Sequence, residues 1–310
     1  MRENTVYLYG AVAAAPLVRK DEKTGDLLYA QVRVNVGRDP RDMGDGIRYM
    51  KGDCPLIVTK DSDMVREIAA WKQYDMVNIM GTITTIPYNK PGICPYCHRK
   101  QEKPGQLVYI HPVAAKKRSH LSNRDACIQD IVDNREFTNR VFIAGTLCND
   151  PRKNVTKNGL TVVSFPLIIG RSVRIVHDSP DRTTDCPWVM TYGDKAEEIK
   201  RRLFRDSEVY INGCIQTRWV DRRMVCGQEY DELGHPVKNE DGTPRIIPGA
   251  GCGRMFYTKT MVTEIGGTRV EFVNNYYKDE DLERMAAASA MNDDPDFIDT
   301  TPSIDDYKDE

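Results

Sequence analysis

The chain repeats itself. Val6-Tyr7-Leu8-Tyr9-Gly10 corresponds to Val141-Phe142-Ile143-Ala144-Gly145 at an offset of 135, and Pro16 to Pro151 at the same offset. Val36-Gly37-Arg38 corresponds to Ile169-Gly170-Arg171 at 133. Cys54-Pro55-Leu56-Ile57-Val58-Thr59 corresponds to Cys186-Pro187-Trp188-Val189-Met190-Thr191 at 132. Val77, Gly81, Ile83 and Thr85 match Val209, Gly213, Ile215 and Thr217, again at 132. A period this long exceeds any solenoid unit and marks a duplicated domain. A chain of 310 residues has room for two domains of ordinary size.

Each copy predicts the same elements. An alternating strand (Thr5 to Val12; Arg140 to Leu147) runs to a Pro. A Lys-Thr-Gly or Lys-Asn-Gly turn, Lys23 to Gly25 and Lys157 to Gly159, then joins two strands. A polar loop rich in Arg, Asp and Gly leads to a strand beginning at Cys54 or Cys186. Helices over Asp61–Trp71 and Asp194–Phe204 carry apolar residues at helical spacing. A fourth strand, from Asp75 or Glu208, opens a long hairpin, and a last strand, Leu107 to Pro112 or Met255 to Glu264, closes the copy. Five strands with one helix between the third and fourth fit a Greek-key barrel of OB type. The expected architecture is all-β with minor α, two tandem OB barrels and a disordered acidic C-terminal tail. Its parts are a first OB domain at 1–115 with a cysteine-bearing hairpin, a basic linker at 116–136, a second OB domain at 137–276 with an insertion at 227–251, and the tail at 277–310.

The formal net charge of -2 hides a division. After Lys278 there are twelve acidic residues against Arg284 and Lys308, so the preceding body carries a net +8. A basic body with an acidic tail suits a polyanionic ligand, the tail competing or contacting partners. No apolar run approaches the roughly 20 residues that cross a bilayer. The first residues, Met1-Arg2-Glu3-Asn4-Thr5, lack the apolar centre of a secretory signal, so the expected location is the cytoplasm. Nine cysteines, mostly lying singly, do not form a disulfide framework.

The second copy resembles the bacterial single-stranded DNA-binding protein family. Asn139-Arg140-Val141-Phe142-Ile143-Ala144-Gly145-Thr146-Leu147 and Asp150-Pro151 carry the resemblance. So do Val189-Met190-Thr191-Tyr192-Gly193 with Ala196-Glu197, and Val209-Tyr210-Ile211-Asn212-Gly213 with Gln216-Thr217-Arg218-Trp219. The resemblance implies OB barrels that bind single-stranded DNA, acting in replication, recombination or repair, and four barrels per assembly, hence a homodimer. It also implies an acidic tail read by replication or repair proteins through Asp293, Asp294, Asp296 and Phe297. Family members end on the Phe, whereas here Phe297 lies inside the final residues.

Non-specific binding needs flat faces for stacking bases and cations for phosphates. The second copy offers Trp188, Tyr192 and Trp219, with Arg218, Arg222 and Arg223 around the last of these, and Arg171 and Arg174 in a loop. The first offers Arg38, Arg48, Tyr49 and Lys51, with Tyr88 on its hairpin. Trp188, Met190 and Tyr192 alternate on one face of a strand, which is either core or binding surface. Trp71 pairs with Leu203 in the repeat and is expected in the core.

Cys94-Pro95-Tyr96-Cys97-His98 matches a thiol redox centre and a haem attachment motif, but it sits in a hairpin with no helical pattern behind it. At the repeat offset Cys94 pairs with Cys226, and Cys252-Gly253-Arg254 resembles Cys97-His98-Arg99. Cys94, Cys97, Cys226 and Cys252 are therefore expected to hold one structural zinc, with His98 and His111 as alternative ligands. No constellation suits other catalysis, so the chain is not expected to be an enzyme. The alternatives are an OB-fold RNA-binding or replisome adaptor protein, and a thiol redox enzyme on Cys94 and Cys97.

Overall fold

The computed structural model describes residues 3–38, 51–171, 173–175, 182–232 and 234–289. The first copy contributes β1 (Asn4–Val12), β2 (Leu17–Lys20), β3 (Leu27–Arg38), β4 (Lys51–Asp53), β5 (Leu56–Thr59), α1 (Ser62–Ala69), β6 (Asp75–Pro87), β7 (Lys90–Ile93), β8 (Lys100–Lys103) and β9 (Gln106–His120). After α2 (Arg124–Asp133), the second contributes β10 (Asn139–Leu147), β11 (Arg152–Val155), β12 (Thr161–Gly170), β13 (Thr184–Asp185), β14 (Trp188–Tyr192), α3 (Gly193–Arg202), β15 (Glu208–Val225), β16 (Met255–Asn274) and α4 (Asp279–Ser289).

Two compact units result. Among the described residues, one holds those within 1–85, 108–217 and 263–291; the other holds those within 86–107 and 218–262. Both barrels fall in the first unit, and the segments bearing Cys94, Cys97, Cys226 and Cys252 fall in the second, a division that cuts across the one expected from the repeat.

In the first unit each barrel closes on itself. β1 pairs with β3, β3 with β5, β5 runs parallel to β9, and β9 returns through β6 to β1. β10, β12, β14, β16 and β15 repeat the circuit, with β14 parallel to β16. Such circuits leave few free edges. β1 changes partner at Gly10, and β10 at Gly145; a Cβ at either would collide with the carbonyl of Asn35 or Ile168. Alternating apolar residues fill the interior: Val6, Leu8, Val34, Ile57 and Ile83 in one copy, and Val141, Ile143, Phe165, Val189 and Ile215 in the other. Trp71 and Leu203 are both buried there, as the repeat predicts. α1 begins where the Asp61 carboxylate accepts from the N–H groups of Asp63 and Met64, which satisfies two orphan donors.

The barrels meet about a pseudo-twofold axis. β1 and β10 pair antiparallel with Val6 opposite Val141, its own repeat equivalent. The Asn4 side chain bonds both backbone groups of Ile83, and Asn139 does the same to Ile215.

The segment 116–136, expected as a linker, is ordered. β9 extends to His120, and α2 follows, capped by Asn123, which accepts from the Ala126 N–H at 2.9 Å. Its Cys127 and Ile131 pack with Ala11 and Met76, so the helix leans on the first barrel through two buried residues. The Tyr9 hydroxyl donates to Asp130, and burial followed by that bond raises its pKa above the ordinary tyrosine value.

Candidate nucleic-acid interface and metal centre

On β14 of the first unit, Val189 and Thr191 are fully buried. Trp188, Met190 and Tyr192 therefore point away from the barrel interior. Met190 is covered, Trp188 is half-buried with the Arg152 guanidinium 6.0 Å from its ring, and Tyr192 is 37% exposed. The Tyr192 hydroxyl donates to Gln216 Oε1 at 2.7 Å, which fixes the ring beside β15. Arg174 and Lys51 are exposed. Arg48, Tyr49, Asp293, Asp294, Asp296 and Phe297 lie outside the described residues.

Two predicted phosphate contacts are corrected. Arg171 is almost fully covered and meets Asp185 with two bonds, Nε to Oδ2 at 2.6 Å and Nη2 to Oδ1 at 3.1 Å. Arg38 stands 2.6 Å from Asp53 in the equivalent place and is 15% exposed. Each aspartate also reaches into the other barrel. Thr85 donates its N–H to Asp185 at 2.8 Å, and Thr217 donates its N–H to Asp53 at 2.5 Å. Thr217 Oγ1 then accepts from the Cys54 N–H, and Thr85 Oγ1 from the Cys186 N–H. Burial raises the Asp53 carboxyl, against the pull of Arg38 and Thr217. These arginines serve the interface between barrels. The signal was present in the sequence, since Asp53 and Asp185 precede the matched cysteines and Thr85 and Thr217 match at 132.

In the second unit the outward positions of β15 and β16 form a mixed face. Trp219 is 63% exposed and Arg223 is exposed on one strand. Met255, Tyr257 and Lys259 are exposed on the other, at alternate residues. Arg218 and Arg222 are half-buried, and Tyr88 is exposed with its N–H bonded to the Gly105 carbonyl. Tyr257 and Lys259 were missed in the sequence, though their period-2 spacing was legible. The inward residues Met224 and Phe256 support this face from behind, beside Cys94 and Cys226.

The four thiols of Cys94, Cys97, Cys226 and Cys252 come together, all within 4.8 Å of one another. Cys94 Sγ lies 3.7 Å from Cys252 Sγ, and Cys97 Sγ 3.4 Å from Cys226 Sγ. A tetrahedral zinc with bonds of about 2.3 Å places sulfurs about 3.8 Å apart, so the cluster has the size of a metal site. Two matching turns build it. Cys94 N–H donates to Arg99 O and His98 N–H to Cys94 O; Cys226 N–H donates to Arg254 O and Gly253 N–H to Cys226 O. His98 and Gly253 hold the same left-handed backbone, φ 58° and 72°. Neither His98 nor His111 joins the cluster. Burial opposes ionisation of Cys94, but the N–H groups of Cys97 and Tyr96 and the neighbouring thiols outweigh it and bring its pKa down to about 7. Cys94 and Cys97 sit in the turn between β7 and β8 rather than at a helix N-terminus, the setting that activates a redox thiol.

Residues 138–231 match a family described as the single-strand binding protein family. Single-stranded DNA-binding protein 1 of Chlorobaculum tepidum is 30% identical over 86 residues, 27% of this chain and 53% of that protein. Single-stranded DNA-binding protein 2 of Staphylococcus aureus is 31% identical over 85 residues, 27% of this chain and 60% of the relative. The chain spans about half the length of the curated relatives it matches. The wild-type single-stranded DNA-binding protein of Thermus aquaticus superposes with a TM-score of 0.51 at 13% identity, over 89% of this chain and 95% of that one. A deletion mutant of it gives 0.52 at 13% identity, over 90% and 98%. That likeness is one of fold.

Proposed function

We propose that this chain, whose residues 138–231 match the single-strand binding protein family, binds and protects single-stranded DNA with little sequence preference. The supporting observation is the outward face of β14, where Trp188 and Tyr192 lie outside a closed barrel. Stacking on such rings is worth about 1–3 kcal/mol per base and is indifferent to base identity. Lys51, Arg174 and Arg223 are exposed cations for phosphates. Trp219 and Tyr88 offer further stacking faces in the second unit. Replication, recombination and repair are the processes that expose such strands.

The test is quenching of tryptophan emission on titration with oligo-dT of increasing length at two salt concentrations. Tight, length-dependent binding that weakens with salt supports the reading; absence of binding at low salt overturns it. Equal affinity for RNA of the same length would favour the RNA-binding alternative.

The four cysteines suit one structural zinc, which supplies no chemistry beyond tying β7–β8 to β15–β16 within the second unit. Metal analysis giving no zinc, with melting indifferent to chelation, would remove it. In the first unit a groove of about 1060 Å³ runs over β1 and β10, lined by Tyr7, Met80, Phe137 and Phe142. Tyr7 is 44% and Phe137 70% exposed, and with Lys116, Arg118 and Arg140 along the same groove they form a mixed aromatic and basic face suited to a second copy, giving four barrels. Light scattering that gives the monomer mass would exclude this. The acidic tail offers replication or repair proteins a docking segment in the cytoplasm. No described helix is long and apolar enough to cross a membrane.

A further inference from the structure

Outside the four-thiol cluster, a second pair of cysteines meets. Cys148, just beyond β10, has its Sγ 3.6 Å from that of Cys186, which lies between β13 and β14. The two are 38 residues apart in sequence and both are half-buried, so a small reagent can reach them. Backbone bonds hold each side: Cys148 N–H donates to Pro166 O, and Cys186 N–H to Thr85 Oγ1. The pair belongs to the second barrel alone. At the offsets of the repeat, Cys186 corresponds to Cys54 but Cys148 corresponds to Ala13. The sulfurs need close by only about 1.6 Å to reach disulfide length.

We propose that Cys148 and Cys186 form a reversible oxidation site for hydroperoxides, closing to an intrachain disulfide in the second barrel. The Cys148 thiol loses its proton, the thiolate attacks one peroxide oxygen, the O–O bond breaks, and the expelled hydroxide or alkoxide takes up that proton as water or an alcohol, with sulfenic acid remaining on Cys148. The Cys186 thiol then loses its proton, attacks the Cys148 sulfur and expels hydroxide, which that proton converts to water. The two sulfurs lose two electrons and the peroxide gains them. Cys148 is suited to attack first: the bond it accepts from Cys186 and the nearby Arg205 charge outweigh burial and lower its pKa to about 7. The same bond and burial push Cys186 up, so it stays protonated until its turn. A bond here would fasten the turn carrying Asp185 to the end of β10, two residues before Trp188.

The experiment treats the full chain, as purified, with hydrogen peroxide and maps tryptic peptides with and without reductant. The expected product loses two of nine thiols and cross-links peptide 141–152 to peptide 183–195, reversibly with dithiothreitol. Cys186→Ser should instead accumulate Cys148 sulfenic acid, trapped by dimedone, and Cys148→Ser should leave Cys186 unreacted. Recovery of both cysteines as free thiols after peroxide has consumed the others overturns the proposal. So does a cross-link from either to a third cysteine.

Discussion

In the first barrel the third long strand opens on Leu56, 8% exposed; in the second the same place holds Trp188, half-buried under the Arg152 guanidinium. Lys60 stands where the second copy has Tyr192, and Pro87 where it has Trp219. Where the barrels meet, the copies agree. Asn4 and Asn139 make identical pairs of bonds, and Asp53 and Asp185 reach equivalent threonines, Thr217 and Thr85, each in the opposite barrel. Duplication has kept the atoms that join the barrels and released the positions that face solvent. The difference separates groups that hold the fold from groups proposed to meet a ligand.

The largest effect expected concerns the two cysteine turns, which the comparison treats as equals. Cys94→Ser and Cys226→Ser should each abolish stoichiometric zinc and expose residues 218–262 to protease, since structural zinc in finger peptides binds with about 10–16 kcal/mol near neutral pH. Retention of zinc by one variant would break the symmetry. Next come the buried aspartates: Asp53→Ala and Asp185→Ala should each cost about 3–5 kcal/mol in denaturant unfolding, by leaving Arg38 or Arg171 uncompensated. Unequal costs would show that one barrel dominates stability.

Surface changes should then separate the copies. Trp188→Ala and Trp219→Ala should each weaken oligo-dT binding by about 1–3 kcal/mol, while Leu56→Ala should change melting more than affinity. Arg223→Ala should reduce the salt slope of binding by about 0.7, the value for one phosphate on a single strand. Arg171→Ala should leave that slope alone and lower the melting point. The smallest effect is pH-dependent and confined to the first barrel. Although burial works against it, Asp75 is held below the usual carboxylate range by Lys117, the Lys72 N–H and His120, and Ser207 occupies its place in the second copy. A depressed carboxyl contributes stability that is fully present above the unfolded value of 3.8 and is lost as pH falls through the lower folded value. Acid titration of melting should therefore be shallower in Asp75→Asn and unchanged in Ser207→Ala.

The barrels were legible because a repeat doubles every signal: Val6–Gly10 with Val141–Gly145 marked the first strands, and matched cysteines marked strand starts. The four-thiol cluster followed from the same subtraction, since Arg99 and Arg254 sit at equivalent turns. Arg38 and Arg171 misled for a physical reason. An arginine beside glycine looks solvated in sequence; the repeat marks Asp53 and Asp185 as equivalent, but not that each is buried and claims the arginine 14 or 15 residues before it. The helix Arg124–Asp133 escaped because only two of its residues, Cys127 and Ile131, are buried, too few to raise a periodic pattern. Trp188 was undecidable from alternation, because a strand has two faces and period 2 does not label them.

The pairing of β1 with β10 has a genetic side. In a dimer of identical chains, a substitution at the central valine would appear on both sides of the axis at once, and dilution would separate the partners. Here Val6 and Val141 are separate codons on one polypeptide, and their encounter is intramolecular, so it is independent of concentration. Each half can change while the other holds the pairing, which lets a tryptophan be carried by one barrel without being imposed on its twin.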